Sequence, residues 1–291
     1  MKNLSTLYMW IGLCIFAFTA CDTDNTTDSE ATANMDRMGG SDSMAGTESM
    51  AGSDSTAGTE ANDTITATYE SFDYLLWANG VESPVTGLTA KYEDQMVTDE
   101  EKPGTINVEL PPNELFEIEL TKDMYYPYHL FGRSCDGTCG ETGDNTFYVK
   151  QPLVSIEAGN LLAGSLGVEL GLNETGTVIA AAYQKTFADD GSTYTISVLP
   201  DVKISLDVAS SVTLTEDSSN ATGLTAGDTT VSGGVVFVNA ESGAVTVKVE
   251  PPEGFTSCSI APGNGAENEA AITVYPLAVS IVDFFCDRAG E

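Results

Sequence analysis

The sequence predicts an all-β protein built from two tandem β-sandwiches. Apolar and polar residues alternate over residues 106–110 and 115–120, which is the period of a strand with one buried face. Turn formers such as Asn79-Gly80 and Pro103-Gly104 separate these short segments. Short strands between turn signals are typical of a sandwich. Each predicted half has roughly 90 to 120 residues, which is enough for one hydrophobic core.

Residues 1–20 have the composition of an export signal. Lys2 precedes an apolar segment, residues 7–18, that is shorter than the roughly 20 residues a membrane-spanning helix needs. The sequence Phe18-Thr19-Ala20-Cys21 resembles the lipobox of bacterial lipoproteins. That resemblance implies cleavage before Cys21 and acyl chains, palmitate among them, on this cysteine, so that the lipid bilayer is a partner. The alternative is an ordinary secretory signal cut near Ala20.

Residues 21–63 are predicted to be a disordered, acidic tether. They are rich in Asp, Ser, Thr, Gly and Ala and nearly devoid of large apolar side chains. A six-residue repeat, seen in Met44-Ala-Gly-Thr-Glu-Ser49 and Met50-Ala-Gly-Ser-Asp-Ser55, offers one apolar residue per repeat and cannot build a core. As a coil, this segment spans roughly 35 Å on average. It would hold the folded part away from the membrane.

The first sandwich is assigned to residues 64–152 and the second to residues 173–288. Between them, residues 153–172 are rich in Leu, Ala and Gly and predict a linker or a short helix. In the second half, strands are predicted at residues 177–183, 193–199, 202–208, 235–238, 244–249, 271–274 and 278–285.

Four cysteines remain after the leader and Cys21 are set aside: Cys135, Cys139, Cys258 and Cys286. An even number in an exported chain predicts disulfides, with three pairings open. We favour Cys135–Cys139 and Cys258–Cys286, because each pair then falls within one predicted sandwich. The second bridge would tie the C-terminal strand to its sandwich. The spacings do not match a zinc site, which also needs more than the single histidine of the chain, His129.

The charge of the chain excludes one class of partner. With 44 acidic and 11 basic side chains, the net charge is −33. Nucleic acid binding depends on neutralising phosphates with Lys and Arg, so we expect no nucleic acid partner.

Several segments are similar to carboxypeptidase regulatory-like modules. The segment Leu110-Pro111-Pro112-Asn113, the strand at 115–120 and the following Lys122-Asp123-Met124-Tyr125-Tyr126-Pro127 resemble the turn, strand and turn of that family. Residues 84–90 and 229–239 resemble other parts of it. The resemblance implies transthyretin-like or Ig-like sandwiches over most of residues 65–287. It also implies a non-catalytic accessory or display role.

A loop at residues 135–145 is the richest segment in oxygen ligands. Asp136, Glu141 and Asp144 lie on a glycine-rich turn, which predicts a Ca²⁺ site. The alternative is a solvated loop held by its disulfide.

Four aromatic residues, Tyr125, Tyr126, Tyr128 and Phe131, crowd a predicted turn and the start of a strand. Consecutive strand residues face opposite sides, so some of these rings are expected to face outward or line a cleft. Exposed aromatic rings suit a glycan or a protein ligand. The alternative is that these rings fill the core and the edge of the sandwich.

No catalytic residues are predicted. The segment Ala163-Gly164-Ser165-Leu166-Gly167 is close to a nucleophile elbow, but no histidine follows it. We therefore expect an extracytoplasmic lipoprotein, at the outer membrane or cell surface rather than the inner membrane, that acts as a non-catalytic binding or display module. The alternatives are a structural component of the envelope without a ligand and, with least support, a hydrolase.

Overall fold

The computed structural model describes residues 64–78, 81–99, 101–136, 145–170, 174–187, 194–217, 224–263 and 265–289. In these ranges the chain is almost entirely β-structure, which confirms the predicted all-β class. Residues 64–289 belong to one compact unit. The leader 1–20 and the tether 21–63 lie outside the described residues. No helix in the described part is long and apolar enough to cross a membrane.

The strands of the first half are β1 (Ile65–Asp73), β2 (Thr89–Tyr92), β3 (Gln95–Thr98), β4 (Thr105–Leu110), β5 (Leu115–Thr121), β6 (Tyr128–Arg133) and β7 (Thr146–Leu153), with helix α1 (Tyr74–Ala78) after β1. The helix α2 (Ile156–Leu166) follows, inside the range 153–172 that was predicted to be a linker or short helix. The second half contains β8 (Thr175–Phe187), β9 (Tyr194–Val198), β10 (Lys203–Leu206), β11 (Val212–Glu216), β12 (Leu224–Ala226), β13 (Val235–Glu241), β14 (Gly243–Glu250), β15 (Phe255–Ile260), β16 (Glu269–Val274) and β17 (Val279–Arg288).

A central sheet runs through both halves of the chain. Its strand order is β12-β11-β13-β8-β17-β6-β5-β2-β3, and β9 and β15 pair with β8 and β17. The C-terminal strand β17 joins the halves, because it pairs in parallel with β6 on one side and with β8 on the other. Strands of both predicted ranges, 64–152 and 173–288, therefore share one sheet. The division into two sandwiches at those boundaries stays a prediction.

Two smaller sheets pack on opposite faces of the central sheet. The first outer sheet has the order β4-β1-β7 and the second has the order β10-β14-β16. Strand β8 illustrates the arrangement: Ile179, Ala181 and Tyr183 belong to a core cluster that includes Ile65 and Ile106 of the first outer sheet. Val178, Ala180 and Ala182 belong instead to a cluster with residues of the second outer sheet. Alternation along a strand thus builds two cores from one sheet.

The turn before β6 contains a residue in the left-handed backbone conformation. Met124 has a φ of 70°. That conformation is unusual for a residue with a Cβ. The side chain of Met124 is exposed, so it packs on neither core.

The predicted disulfide between Cys258 and Cys286 is confirmed. The two cysteines are directly opposite each other on β15 and β17. Both are buried in the second core, so the bridge fixes the last strand where it is most covered. Cys135 is also disulfide-bonded. Cys139 lies outside the described residues, and its pairing stays a prediction.

Candidate functional site

The four aromatic residues singled out from the sequence do not share one surface. Tyr128 is buried, and its hydroxyl accepts a hydrogen bond from the Val154 N–H at 2.8 Å. Phe131 is partly buried against the second core. The Tyr125 hydroxyl donates to Oδ2 of Asp73 at 2.8 Å. Burial, together with this hydrogen bond and the charge of Asp73, raises the pKa of Tyr125 to about 12. The binding role proposed for these rings stays a prediction.

Tyr126 and Tyr128 line an apolar cavity of about 100 Å³ under helix α2. The helix begins at the cap Ser155, whose side chain accepts from the Ala158 N–H, and it packs closely on the Tyr126 ring. A Cβ on Gly159 would lie 2.6 Å from Cε2 of Tyr126, so only glycine allows this approach. The cavity is smaller than the roughly 300–1,000 Å³ of most ligand pockets. It suits at most a small apolar group.

The predicted calcium site falls mostly outside the described part of the chain. Asp136 is described, but Glu141 and Asp144 are not. Among the residues that the structure describes, no group of three or more histidine, cysteine or acidic side chains could hold a metal ion. The Ca²⁺ site at Asp136, Glu141 and Asp144 therefore stays a prediction.

Ser165, in the segment whose sequence is close to a nucleophile elbow, lies within α2 rather than on a turn after a strand. Its hydroxyl donates to the Leu162 carbonyl at 2.7 Å. The local structure of a nucleophile elbow is therefore absent at this serine.

A wide cleft opens where the second outer sheet ends. That sheet covers β13, β8 and β17, but it leaves the outward side chains of β5 and β2 uncovered. Leu115 of β5 is 57% exposed as a result. The cleft has a volume of about 690 Å³, with β2, β5 and β6 as its floor and Tyr275-Pro276, just after β16, as one wall. Hereafter we call this the β5–β6 cleft.

Three side chains from separate elements form an interlocked cluster in the β5–β6 cleft. The His129 ring of β6 stacks on Tyr275 with 3.8 Å between ring centres and 17° between planes. Nδ1 of His129 lies 2.9 Å from Oε1 of Glu117 on β5. The Tyr275 hydroxyl also donates to Glu117. Stacking leaves His129 only 6% exposed, although it points away from the first core.

The charge state of this cluster follows from its hydrogen bonds. Partial burial tends to raise the pKa of Glu117, but the hydrogen bonds from His129 and Tyr275 and the attraction of His129 outweigh it, so the pKa is lowered. Burial and the bond to Glu117 raise the pKa of Tyr275. Glu117 is therefore a carboxylate and Tyr275 a neutral phenol at neutral pH.

The β5–β6 cleft is acidic as well as aromatic. Four glutamates line it together with a single lysine, Lys91: Glu93, Glu114, Glu117 and Glu119. Carboxylates beside an aromatic ring can bind a cation by charge-assisted hydrogen bonds and by contact with the ring face.

Sequence reasoning identified His129 only as the single histidine and did not place it in a site. The alternation of β5 and β6 could have put Glu117, Glu119 and His129 on the outer face of the sheet. No local pattern could have indicated Tyr275, because it comes from a distant part of the chain. Its contact with His129 depends on how β16 packs over the central sheet.

Comparisons with known proteins give remote similarities only. No family model matches the chain, and no curated protein matches it. Among solved structures, the minor pilin GBS52 of Streptococcus agalactiae is 10% identical, with 78% of this chain and 97% of that chain covered and a TM-score of 0.27. A streptococcal ancillary pilin is 14% identical, with 77% and 69% covered and a TM-score of 0.24. The shaft pilin SpaA of Lactobacillus rhamnosus GG is 12% identical, with 79% and 98% covered and a TM-score of 0.21. Identities and scores this low support no argument about shared fold or function.

Proposed function

We propose that this chain is an exported surface protein, anchored through acylated Cys21, that acts as a non-catalytic binding module. The export signal with its lipobox and the acidic tether support the location and the anchor. The observation that carries the binding role is the β5–β6 cleft, a broad concave surface on rigid strands. Sites on strands hold their side chains in fixed positions, as recognition requires.

The ligand that fits the cleft best is a basic segment of another protein. The lining carries four glutamates against one lysine. The whole chain carries a net charge of −33, so a basic partner is attracted from a distance and an acidic one repelled. A Lys or Arg side chain could reach the Glu117 carboxylate and the exposed edge of Tyr275. A neutral glycan is the alternative ligand, since it too could stack on Tyr275.

Binding can be tested with the chain from residue 21 onward carrying Cys21→Ser, which lacks both the apolar leader and the site of acylation. Oligolysine and oligoarginine peptides, and a panel of neutral oligosaccharides, would be titrated by calorimetry at low and at physiological salt. We expect the basic peptides to bind, more weakly at higher salt, and the sugars not to bind. Binding of sugars alone would replace the protein ligand by a glycan. If neither the basic peptides nor the sugars bind, the binding role is overturned and a display protein without a ligand remains.

Variants assign the binding to the cleft. Glu117→Gln keeps the shape of the side chain but removes one charge, and we expect the affinity for oligolysine to fall about three- to tenfold, close to 1 kcal/mol. Glu253→Gln, at an exposed turn outside the cleft, is the matched control and should leave affinity unchanged. Equal losses in both variants would indicate non-specific attraction to an acidic surface.

The anchor has its own test. Mass spectrometry of the native N-terminus should show an acylated Cys21 as the first residue. A mature chain with an unmodified Cys21 would remove the membrane from the proposal without affecting the cleft.

A further inference from the structure

Three buried polar atoms lie on strands around the first core without a hydrogen-bond partner. They are Oγ of Ser71 on β1, Oε1 of Gln151 on β7 and Oδ1 of Asp283 on β17. Ser71 and Gln151 are each 1% exposed, and Asp283 is 8% exposed. A buried polar atom without a partner costs about 1–3 kcal/mol. Ser71 and Gln151 lie on the paired strands β1 and β7, and Asp283 lies on β17 of the central sheet.

The strand register brings these side chains to one place. Ser71 and Gln151 are opposite each other in the parallel pair of β1 and β7, and both face the first core. Tyr69, Gln151 and Asp283 line a single cavity of about 30 Å³ between the first outer sheet and the central sheet. The remaining lining is apolar, with Phe116, Phe147 and Ile281 among its members. Gln151 and Asp283 therefore border one small space from the two layers, and Ser71 lies opposite Gln151 on the neighbouring strand.

This cavity is large enough to hold a water molecule. A water needs a cavity of about 10–15 Å³ on this measure, and a buried water needs two to four polar partners. Gln151 offers a free carbonyl oxygen, because its amide nitrogen already donates to the Pro152 carbonyl at 3.0 Å. Asp283 offers its carboxyl group from the opposite layer.

No cation is available to hold Asp283 as a carboxylate. The described residues that line the cavity include no lysine, arginine or histidine. On β8 the residue opposite Asp283 is Ala181. The other titratable group that faces it is Tyr69, whose pKa is raised first by burial and then by the charge of Asp283. Burial raises the pKa of Asp283 well above its usual range, because the charged form would lose its hydration in this apolar layer.

We propose that this cavity is a binding site for one water molecule, held between the carboxyl group of Asp283 and the carboxamide of Gln151. The water donates to Oε1 of Gln151 and accepts from Asp283 when that carboxyl is protonated. The water thus links β17 of the central sheet to β7 of the first outer sheet. Ionisation of Asp283 would place an unpaired charge in this apolar layer, so the site makes the fold less stable as the pH rises.

The sign of the pH effect is fixed by the direction of the shift. The folded state binds the Asp283 proton more tightly than the unfolded state does. The stabilisation is complete below the unfolded pKa of about 4 and is lost as the pH rises toward the folded value. The unfolding equilibrium constant should therefore increase with pH, by up to about tenfold per pH unit from this one group.

The test compares three forms of the chain from residue 21 onward carrying Cys21→Ser: the parent, Asp283→Asn and Asp287→Asn. Asp287 is an exposed residue near the end of the same strand and serves as the matched control. Urea denaturation from pH 5 to pH 9 should show the rise in the unfolding constant in the parent and in Asp287→Asn, but not in Asp283→Asn. Parallel pH profiles for all three would overturn the proposed role of Asp283.

Two measurements on the parent protein keep the proposal testable if Asp283→Asn does not fold. Carbon NMR of a chain labelled at the aspartate carboxyls should show one carboxyl that titrates at clearly higher pH than the others. A crystal structure at about 1.5 Å should show a water within about 3.2 Å of both Asp283 and Gln151. A set of aspartates that all titrate in the ordinary range, or a direct Asp283–Gln151 hydrogen bond in place of the water, would contradict it.

Discussion

Strands β17 and β6 are neighbours in the central sheet, but their surroundings differ. From Val279 to Cys286 every residue of β17 is buried, because an outer sheet covers each face. Strand β6 has one face in the first core, through Tyr128 and Leu130, while the other face leads into the β5–β6 cleft. The burial of a strand in the central sheet therefore depends on whether an outer sheet covers its faces, and not on its position within the sheet.

The same contrast governs the acids beside the two strands. Asp283 of β17 has no cation near it in the described structure, and burial raises its pKa. Glu117 beside β6 is half-buried, but it accepts hydrogen bonds from His129 and Tyr275, and its pKa is lowered. Burial alone would shift both pKa values upward. The presence of donors explains the opposite signs.

The largest effect is expected at Phe284 of β17. Phe284→Ala leaves a void in the second core, where the side chain is fully buried, and should lower the free energy of unfolding by about 3–5 kcal/mol. Phe131→Ala on β6 is the matched change at a partly buried site, and it should lower the free energy of unfolding by clearly less than Phe284→Ala does. Urea denaturation would measure both. Equal losses would mean that β6 is as covered as β17.

The next effect concerns the wall of the β5–β6 cleft. Tyr275→Ala removes the ring that stacks on His129 and should destabilise the fold by about 1–2 kcal/mol, more than an ordinary surface substitution. Thermal unfolding would measure the loss. His129 should at the same time become accessible to chemical modification by diethylpyrocarbonate. A histidine that stays protected would show that something other than Tyr275 covers it.

A smaller effect, with a definite pH dependence, is expected for Glu117→Gln. Because the folded pKa of Glu117 is depressed, its stabilisation is present above the unfolded pKa of about 4.5 and is lost as the pH falls through the folded value. The parent should thus lose its advantage over the variant on acidification from pH 6 to pH 3. Denaturation curves across this range would reveal it. If the stability difference between the parent and Glu117→Gln instead grew as the pH fell, the pKa of Glu117 could not be lowered by folding.

The smallest effect is expected for Glu119→Gln, one strand position further along the face that carries Glu117. Glu119 belongs to the cleft lining, but no described hydrogen bond fixes its side chain. The free energy of unfolding should change by less than about 0.5 kcal/mol. A loss as large as that of Glu117→Gln would mean that the cluster extends beyond the three side chains described.

Much of the local structure could be predicted from the chain. The alternating segments at 106–110 and 115–120 coincide with β4 and β5, and the apolar segment at 278–285 coincides with β17. The bridge between Cys258 and Cys286 was also anticipated. These features are encoded by residues close in sequence or, for the bridge, by a small number of cysteines. The mostly apolar character of β17, interrupted only by Ser280 and Asp283 between Val279 and Cys286, also signals burial on both faces, which suits a strand with two parallel neighbours.

The placement of the site residues could not be predicted in the same way. Tyr128 and Phe131 were grouped with Tyr125 and Tyr126 as candidate surface rings, but Tyr128 is in the core and Phe131 is partly covered. Alternation assigns neighbours to opposite faces of a strand without saying which face meets solvent. That depends on where the outer sheets lie, and their positions follow from contacts between residues far apart in the chain.

The amino-acid sequence by itself determined the all-β class, the positions of most strands and the acidity, because each follows from composition or from local periodicity. It left three disulfide pairings open, and the tertiary structure has Cys258 bonded to Cys286. Only the tertiary structure decided that β17 lies between β6 and β8, that Tyr275 covers His129 and that Asp283 shares a cavity with Gln151. The physical reason is that strand pairing and layer packing are chosen by the total burial of both cores, which no single segment specifies.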